Sequence, residues 1–155
     1  MPFIKRVNSI NYRKYINKMK TVLRWIASPI AALAGLLIAR GLIIVSRYFY
    51  ATSLWGDRAD FFTYIPKELT LANIIAFCFG CIIEGYFFVF LASYVSPNQK
   101  IASIIFGTIA ITFCIIGAIS ALIIKDNGWG WTMLAAIMTI IGASASAKQM
   151  YSEDE

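Results

Sequence analysis

The feature that most constrains the fold of this sequence is a series of four long segments that are almost free of charge. Residues 101–124 contain no charged residue, and residues 70–95 contain only Glu84. About 20 helical residues cross a hydrocarbon core of about 30 Å, and uninterrupted apolar runs lack the alternation of a membrane β-strand. The sequence therefore predicts an all-α polytopic membrane protein, an antiparallel four-helix transmembrane bundle. Its spans are predicted at about 25–47, 70–95, 101–124 and 128–147.

Composition excludes the other broad classes. Of the 155 residues, 59% are hydrophobic and 14% are charged, whereas about 25% of residues are charged in a typical soluble domain. So small a soluble protein needs a polar surface that this chain cannot supply, and a disordered chain would be far less apolar. There is no histidine, and the three cysteines all lie in apolar segments. We therefore expect no metal site, no cofactor and no catalytic machinery.

Residues 1–24 are predicted to form a basic amphipathic N-terminal arm. The arm contains seven basic residues and no acidic one, and its apolar residues recur at helical spacing. This pattern predicts a helix lying in the membrane interface and facing anionic lipid headgroups, or else a charge cluster that only sets orientation. Nucleic acid is not an expected partner, because the cations lack a recognition motif. The candidate lipid-binding residues are Lys5, Arg6, Arg13, Lys14, Lys18 and Lys20.

Charge distribution also predicts the orientation. Four spans place both termini on one side, where the arm, Lys100 and Lys148 outnumber the basic residues of the opposite side. By the positive-inside rule both termini are expected in the cytoplasm, with the protein in a plasma or inner membrane. Residues 148–155 are predicted to be a short acidic, solvated tail. The aromatic loop at 48–69 is predicted to fold back onto the bilayer or to cap the bundle.

Small residues predict how the helices pack, because they let membrane helices approach closely. Each span has one row of such residues at a spacing of four, which predicts one packing face per helix. Four helices bury little surface, so we expect a homo-oligomer or assembly with other membrane subunits. The predicted packing residues of the first two helices are Ala27, Ala31, Gly35, Ala39, Ala72, Ala76 and Gly80.

Glu84 continues the small-residue row of the second helix and is the strongest candidate for chemistry. It lies about 14 residues into that span, roughly 20 Å from the outer end. A carboxylate at this depth usually faces the bundle interior or water. It is interpreted as a proton or cation site, as a protonated acid that hydrogen-bonds a neighbouring helix, or as an interfacial residue.

Arg40 and Tyr86 complete the candidate intramembrane ion or proton site with Glu84. Arg40 lies roughly 10 Å from the outer end of the first span. Because Glu84 lies about twice as deep, the sequence favours an Arg40 side chain that extends outward to the interface over a direct Arg40–Glu84 pair.

Two resemblances supply alternative functions. A carboxylate at Glu84 beside Tyr86, Phe87 and Phe88 in a four-helix chain resembles the small multidrug-resistance transporters in architecture, although their glutamate is on the first helix and their chains are shorter. This resemblance implies a proton- or cation-coupled transporter or channel.

The CxxC of Cys78 and Cys81 resembles that of four-helix membrane thiol oxidoreductases that handle quinones. Those enzymes also carry a second cysteine pair in a loop, which this chain lacks. The favoured interpretation is a non-enzymatic accessory or structural subunit, or a homo-oligomeric bundle, in a membrane complex. Transport through Glu84 and thiol chemistry at Cys78 and Cys81 are the alternatives.

Overall fold

The computed structural model describes residues 2–50, 71–124 and 128–152, with side chains at 14–45, 71, 74–124 and 128–152. These ranges consist of helices joined by turns, and each helix is long and apolar enough to span a membrane. The predicted all-α, four-helix membrane fold is therefore confirmed. The helices are α1 (Pro2–Tyr50), α2 (Leu71–Val95), α3 (Gln99–Ile124) and α4 (Trp129–Ser152).

The arm and the first span form one continuous helix, α1, so the predicted boundary between residues 24 and 25 is not a helix end. Pro29 lies inside α1 and has no N–H to donate to the carbonyl of Trp25. The Ser28 hydroxyl instead donates to the neighbouring carbonyl of Arg24 at 2.9 Å. Membrane helices tolerate proline where such adjustments satisfy the backbone. The interfacial placement of the arm stays a prediction.

Two other predicted helix ends differ from the structure. α1 continues past residue 47 to Tyr50, and α4 continues past residue 147 to Ser152. Residues 148–152 are therefore helical, while 153–155 lie outside the described residues. Most of the predicted aromatic loop, 51–70, also lies outside them.

The connection between α2 and α3 is a tight turn. The Ser96 backbone N–H donates to the Ser93 carbonyl at 3.2 Å and ends α2. The Asn98 side chain accepts a hydrogen bond from the N–H of Ile101 at 3.1 Å and caps the start of α3. This turn makes α2 and α3 antiparallel neighbours.

α2 is the central helix of the bundle. It packs against α1, α3 and α4, and α4 also packs against α3. Val89 of α2 meets Ala110 of α3 and Ala143 of α4 in one buried cluster. Among the described residues α1 packs mainly along α2, so α2, α3 and α4 form a three-helix unit with α1 on its outside.

Glycines allow the closest approach, which is between α2 and α4. Gly85 of α2 lies against the backbone of Thr139, and Gly142 of α4 lies against the backbone of Ile82. A Cβ atom at Gly142 would lie 2.8 Å from the Ile82 carbonyl carbon, closer than van der Waals contact allows. The two helices thus touch backbone to backbone at two reciprocal glycines, the contact that small residues permit in membranes.

The predicted packing rows are present in part. Gly35, Ala39 and Gly80 are buried, whereas Ala27, Ala31 and Ala76 are half-buried, and the side chain of Ala72 is outside the described residues. The buried row of α1 follows Ser28, Ala32, Gly35 and Ala39. A strict spacing of four drifts by about 40° per step around a helix of 3.6 residues per turn, so a mixed spacing of four and three stays on one face.

Buried serines offer a test of packing. The hydroxyl of Ser146 is fully buried and has no hydrogen-bond partner among the described residues, whereas that of Ser103, equally buried, donates to the Lys100 carbonyl at 2.8 Å. Burying an unsatisfied hydroxyl costs about 1–3 kcal/mol. Ser146→Ala is therefore expected to leave the unfolding temperature unchanged or to raise it, and Ser103→Ala to lower it. A larger loss in Ser146→Ala than in Ser103→Ala, by thermal unfolding in detergent, would contradict this assignment.

Candidate functional site

Arg40 of α1 and Glu84 of α2 form an ion pair between the two helices. The Nε atom of Arg40 donates to Oε1 of Glu84 at 2.9 Å. Glu84 is buried, with 8% of its surface exposed, and the Arg40 side chain is 31% exposed. The carboxylate that the sequence places deep in the membrane therefore meets a cation from the neighbouring helix.

The register of α1 against α2 brings the two residues together. Gly35 lies against Phe87, and Gly80 lies against Ile43. Arg40 lies between these two contacts on α1, and Glu84 lies between them on α2. The helices are antiparallel, so the two side chains are at the same level.

The prediction that the Arg40 side chain extends to the interface instead of pairing with Glu84 is wrong. That prediction took the depth of Arg40 from residue 47 and the depth of Glu84 from residue 70. It assumed that these two predicted helix ends lie at the same depth in the membrane. In the structure α1 continues to Tyr50. Its contacts with α2 place residue 47 beside the interior of α2 and not beside the N-terminal end of that helix. The stagger of the two helices removes the apparent difference in depth.

The ion pair has a structural consequence in a membrane. A lone charge at this depth is costly, and each member of the pair offsets that cost for the other. Sliding or rotating α1 against α2 would separate the charges in a medium that solvates neither. The pair therefore adds to the close helix contacts that hold the register of α1 on α2.

Tyr86 does not join this pair. Side chains two positions apart lie on different faces of a helix, and Tyr86 lies toward α4. Its hydroxyl donates to Oε1 of Gln149 at 2.5 Å, and its ring stacks on Phe90 with centroids 5.6 Å apart. Gln149 was not among the candidate residues, because the predicted fourth span ends at residue 147. A polar residue next to an apolar span was the available signal.

The other candidate residues are placed separately. Cys78 is half-buried and Cys81 is buried, and both are free thiols on α2. Lys14, Lys18 and Lys20 are exposed on α1, while the side chains of Lys5, Arg6 and Arg13 lie outside the described residues. Within the described ranges no three histidine, cysteine or acidic side chains are grouped to hold a metal ion.

A polar cavity is the second notable feature, and none of its lining residues is among the candidate site residues predicted from the sequence. It has a volume of about 470 Å³ and lies where α1 passes the turn between α2 and α3. Arg24 and Lys100 are the cations in its lining. The signal in the sequence was that both residues directly border charge-free segments, at ends that four antiparallel spans bring to one side.

Comparisons of the chain with models of protein families, with curated proteins and with solved structures found no match. The interpretation of the ion pair and the cavity therefore depends on their geometry and chemistry.

Proposed function

We propose that this chain is a structural, non-enzymatic membrane protein that assembles with further copies of itself or with other membrane subunits. The observation that carries the proposal is the Arg40–Glu84 pair. Two ionisable groups deep in the described spans face each other across a helix contact at 2.9 Å. The two charges stabilise the packing of α1 on α2. A bundle whose helices are held in this way can present a rigid surface to other membrane helices.

The outer half of α3 supplies a surface for assembly. The buried residues of α3 lie between Ala102 and Ala110, and none of its described residues beyond Ala110 is buried. Phe113 and Ile123 are 71% and 76% exposed. The Thr112 hydroxyl on this surface is satisfied by its own helix, donating to the Thr108 carbonyl at 2.8 Å. A neighbouring membrane helix can therefore pack here without leaving a polar group unsatisfied.

The ion pair also argues against the alternative of a proton-coupled transporter. A carboxyl group that carries protons must become neutral during its cycle, and neutral Glu84 would withdraw the negative charge that faces Arg40. A transport cycle through Glu84 would thus remove the ionic part of the Arg40–Glu84 contact at each turnover. We further propose that both termini are cytoplasmic in a plasma or inner membrane, on the positive-inside rule.

Mild-detergent purification followed by native mass spectrometry tests the proposal. The chain is expected to travel with further copies or with other membrane chains. Ile116→Trp adds bulk to the exposed face of α3, where Ile116 is 55% exposed, and is expected to reduce the assembled fraction several-fold. Ile30→Trp, at a position of α1 that is 66% exposed, is the matched control and is expected to leave assembly intact.

Two results would contradict the proposal. One is a single chain without partners in every mild detergent. The other is proton-driven uptake into vesicles that the wild-type chain supports and Glu84→Gln abolishes. Assembly that survives both tryptophan substitutions would place the interface away from α3.

A further inference from the structure

The polar cavity at the turn between α2 and α3 is built from two parts of the chain that are distant in sequence. Its volume of about 470 Å³ falls within the range of about 300–1,000 Å³ typical of small-ligand sites. It lies at the end of the bundle from which the basic arm of α1 extends. The cavity is lined by Arg24, Ser96, Pro97, Asn98, Gln99 and Lys100.

The charge of the lining residues is entirely positive. Arg24 comes from α1 and Lys100 from α3, and the other four lining residues are uncharged. The polar groups of the turn are engaged locally, since the Ser96 hydroxyl donates to the Asn98 carbonyl at 3.1 Å. Arg24 and Lys100 are thus the lining residues that carry the strongest hydrogen-bond donors.

The ammonium group of Lys100 contacts an aromatic ring. Its ammonium nitrogen lies 5.2 Å from the ring centroid of Tyr151 at the end of α4. This cation–π contact attracts the ammonium group but leaves its positive charge uncompensated. Two residues with cationic side chains, from α1 and α3, therefore line one open space.

We propose that this cavity binds a phosphate group, either on a lipid headgroup or on a soluble phosphate ester. The planar guanidinium of Arg24 can donate two parallel hydrogen bonds to phosphate oxygens, and Lys100 adds a compact positive charge. Membrane phosphates lie at the depth where an apolar span meets a basic segment, which on α1 is the position of Arg24. The inference is independent of any protein partner.

The test uses the full chain and phosphatidylglycerol as the probe. The protein is reconstituted in vesicles of phosphatidylcholine with a minor share of phosphatidylglycerol and released gently for native mass spectrometry. One retained phosphatidylglycerol per chain is expected. A direct hydrogen bond to a charged group contributes at least about tenfold in affinity, so the double variant Arg24→Gln and Lys100→Gln is expected to bind about 100-fold more weakly and Lys100→Gln alone about tenfold more weakly.

The matched control is the single variant Lys148→Gln, which removes one cation from an exposed position of α4 outside the cavity and is compared with the single variant Lys100→Gln. It is expected to retain the lipid. Equal loss in Lys148→Gln and Lys100→Gln would overturn the proposal in favour of diffuse surface attraction, and retention in the double variant Arg24→Gln and Lys100→Gln would overturn it outright.

A competition experiment on the wild-type protein separates the two sources of phosphate. Sodium phosphate at the ionic strength of a sodium chloride reference is expected to displace the lipid if the cavity selects phosphate oxygens. Displacement at low phosphate concentration assigns the site to a soluble phosphate ester, and displacement only at high concentration assigns it to the lipid. Identical behaviour in chloride and phosphate would contradict a phosphate site without relying on any variant.

Discussion

Gly142→Ala is expected to disrupt the bundle strongly. A Cβ atom at Gly142 overlaps the main chain of Ile82 on α2, which cannot move aside as a flexible side chain does. The two helices must therefore separate, and overpacking of this kind costs about 1–3 kcal/mol and sometimes more. A large fall in unfolding temperature in detergent, with loss of monodisperse protein, is the expected result.

Gly117→Ala is the matched control, because a Cβ atom at Gly117 meets nothing within 4 Å. Its unfolding temperature is expected to stay near that of the wild type. Gly85→Ala should resemble Gly142→Ala, because Gly85 meets the backbone of Thr139 in the same contact. The two effects should not add, since each alone forces the same helices apart. Equal stability of Gly142→Ala and Gly117→Ala would refute the close contact.

Removal of one member of the ion pair is the second large expected effect. Arg40→Leu leaves the buried Glu84 carboxylate without the guanidinium at 2.9 Å, and Glu84→Leu leaves the cation without that carboxylate. Breaking a buried pair in this way typically costs about 3–5 kcal/mol. Both single variants are therefore expected to lower the unfolding temperature strongly and to loosen α1 from α2.

The double variant Arg40→Leu and Glu84→Leu separates pairing from packing. It removes both charges, so it is expected to be more stable than either single variant. A double-mutant cycle from unfolding free energies in detergent gives the coupling directly. Losses in the single variants that simply add in the double variant would show that the pair does not hold the helices together.

The fold was largely predictable because hydrocarbon imposes a simple length requirement. A charge-free segment such as 101–124 has one plausible conformation in a membrane, and the structure has α3 at Gln99–Ile124. Helix ends were less predictable, because amphipathic residues such as those after 147 extend a helix beyond the apolar segment. The continuity of the helix from the arm into the first span could not be predicted, because a change in composition at residue 24 does not show whether the helix ends there.

The candidate site was predictable residue by residue but not as pairs. The sequence identified Arg40 and Glu84 as costly in a membrane, but their contact depends on the stagger of α1 against α2. That stagger is set by close contacts, such as Gly35 against Phe87, which no single-sequence pattern specifies. The hydrogen bond from Tyr86 to Gln149 depends in the same way on how α4 packs on α2.

The position of α1 outside the three-helix unit has a consequence for biosynthesis. α1 is translated first, yet its main packing partner, α2, follows it, and 44 residues separate Arg40 from Glu84. At about 5–20 residues per second, a ribosome needs about 2–9 seconds to make that interval. During this time the Glu84 carboxylate has not yet been synthesised, so it cannot neutralise Arg40. The nascent first helix must therefore lie where water, lipid phosphate or the insertion machinery can accommodate the charge of Arg40.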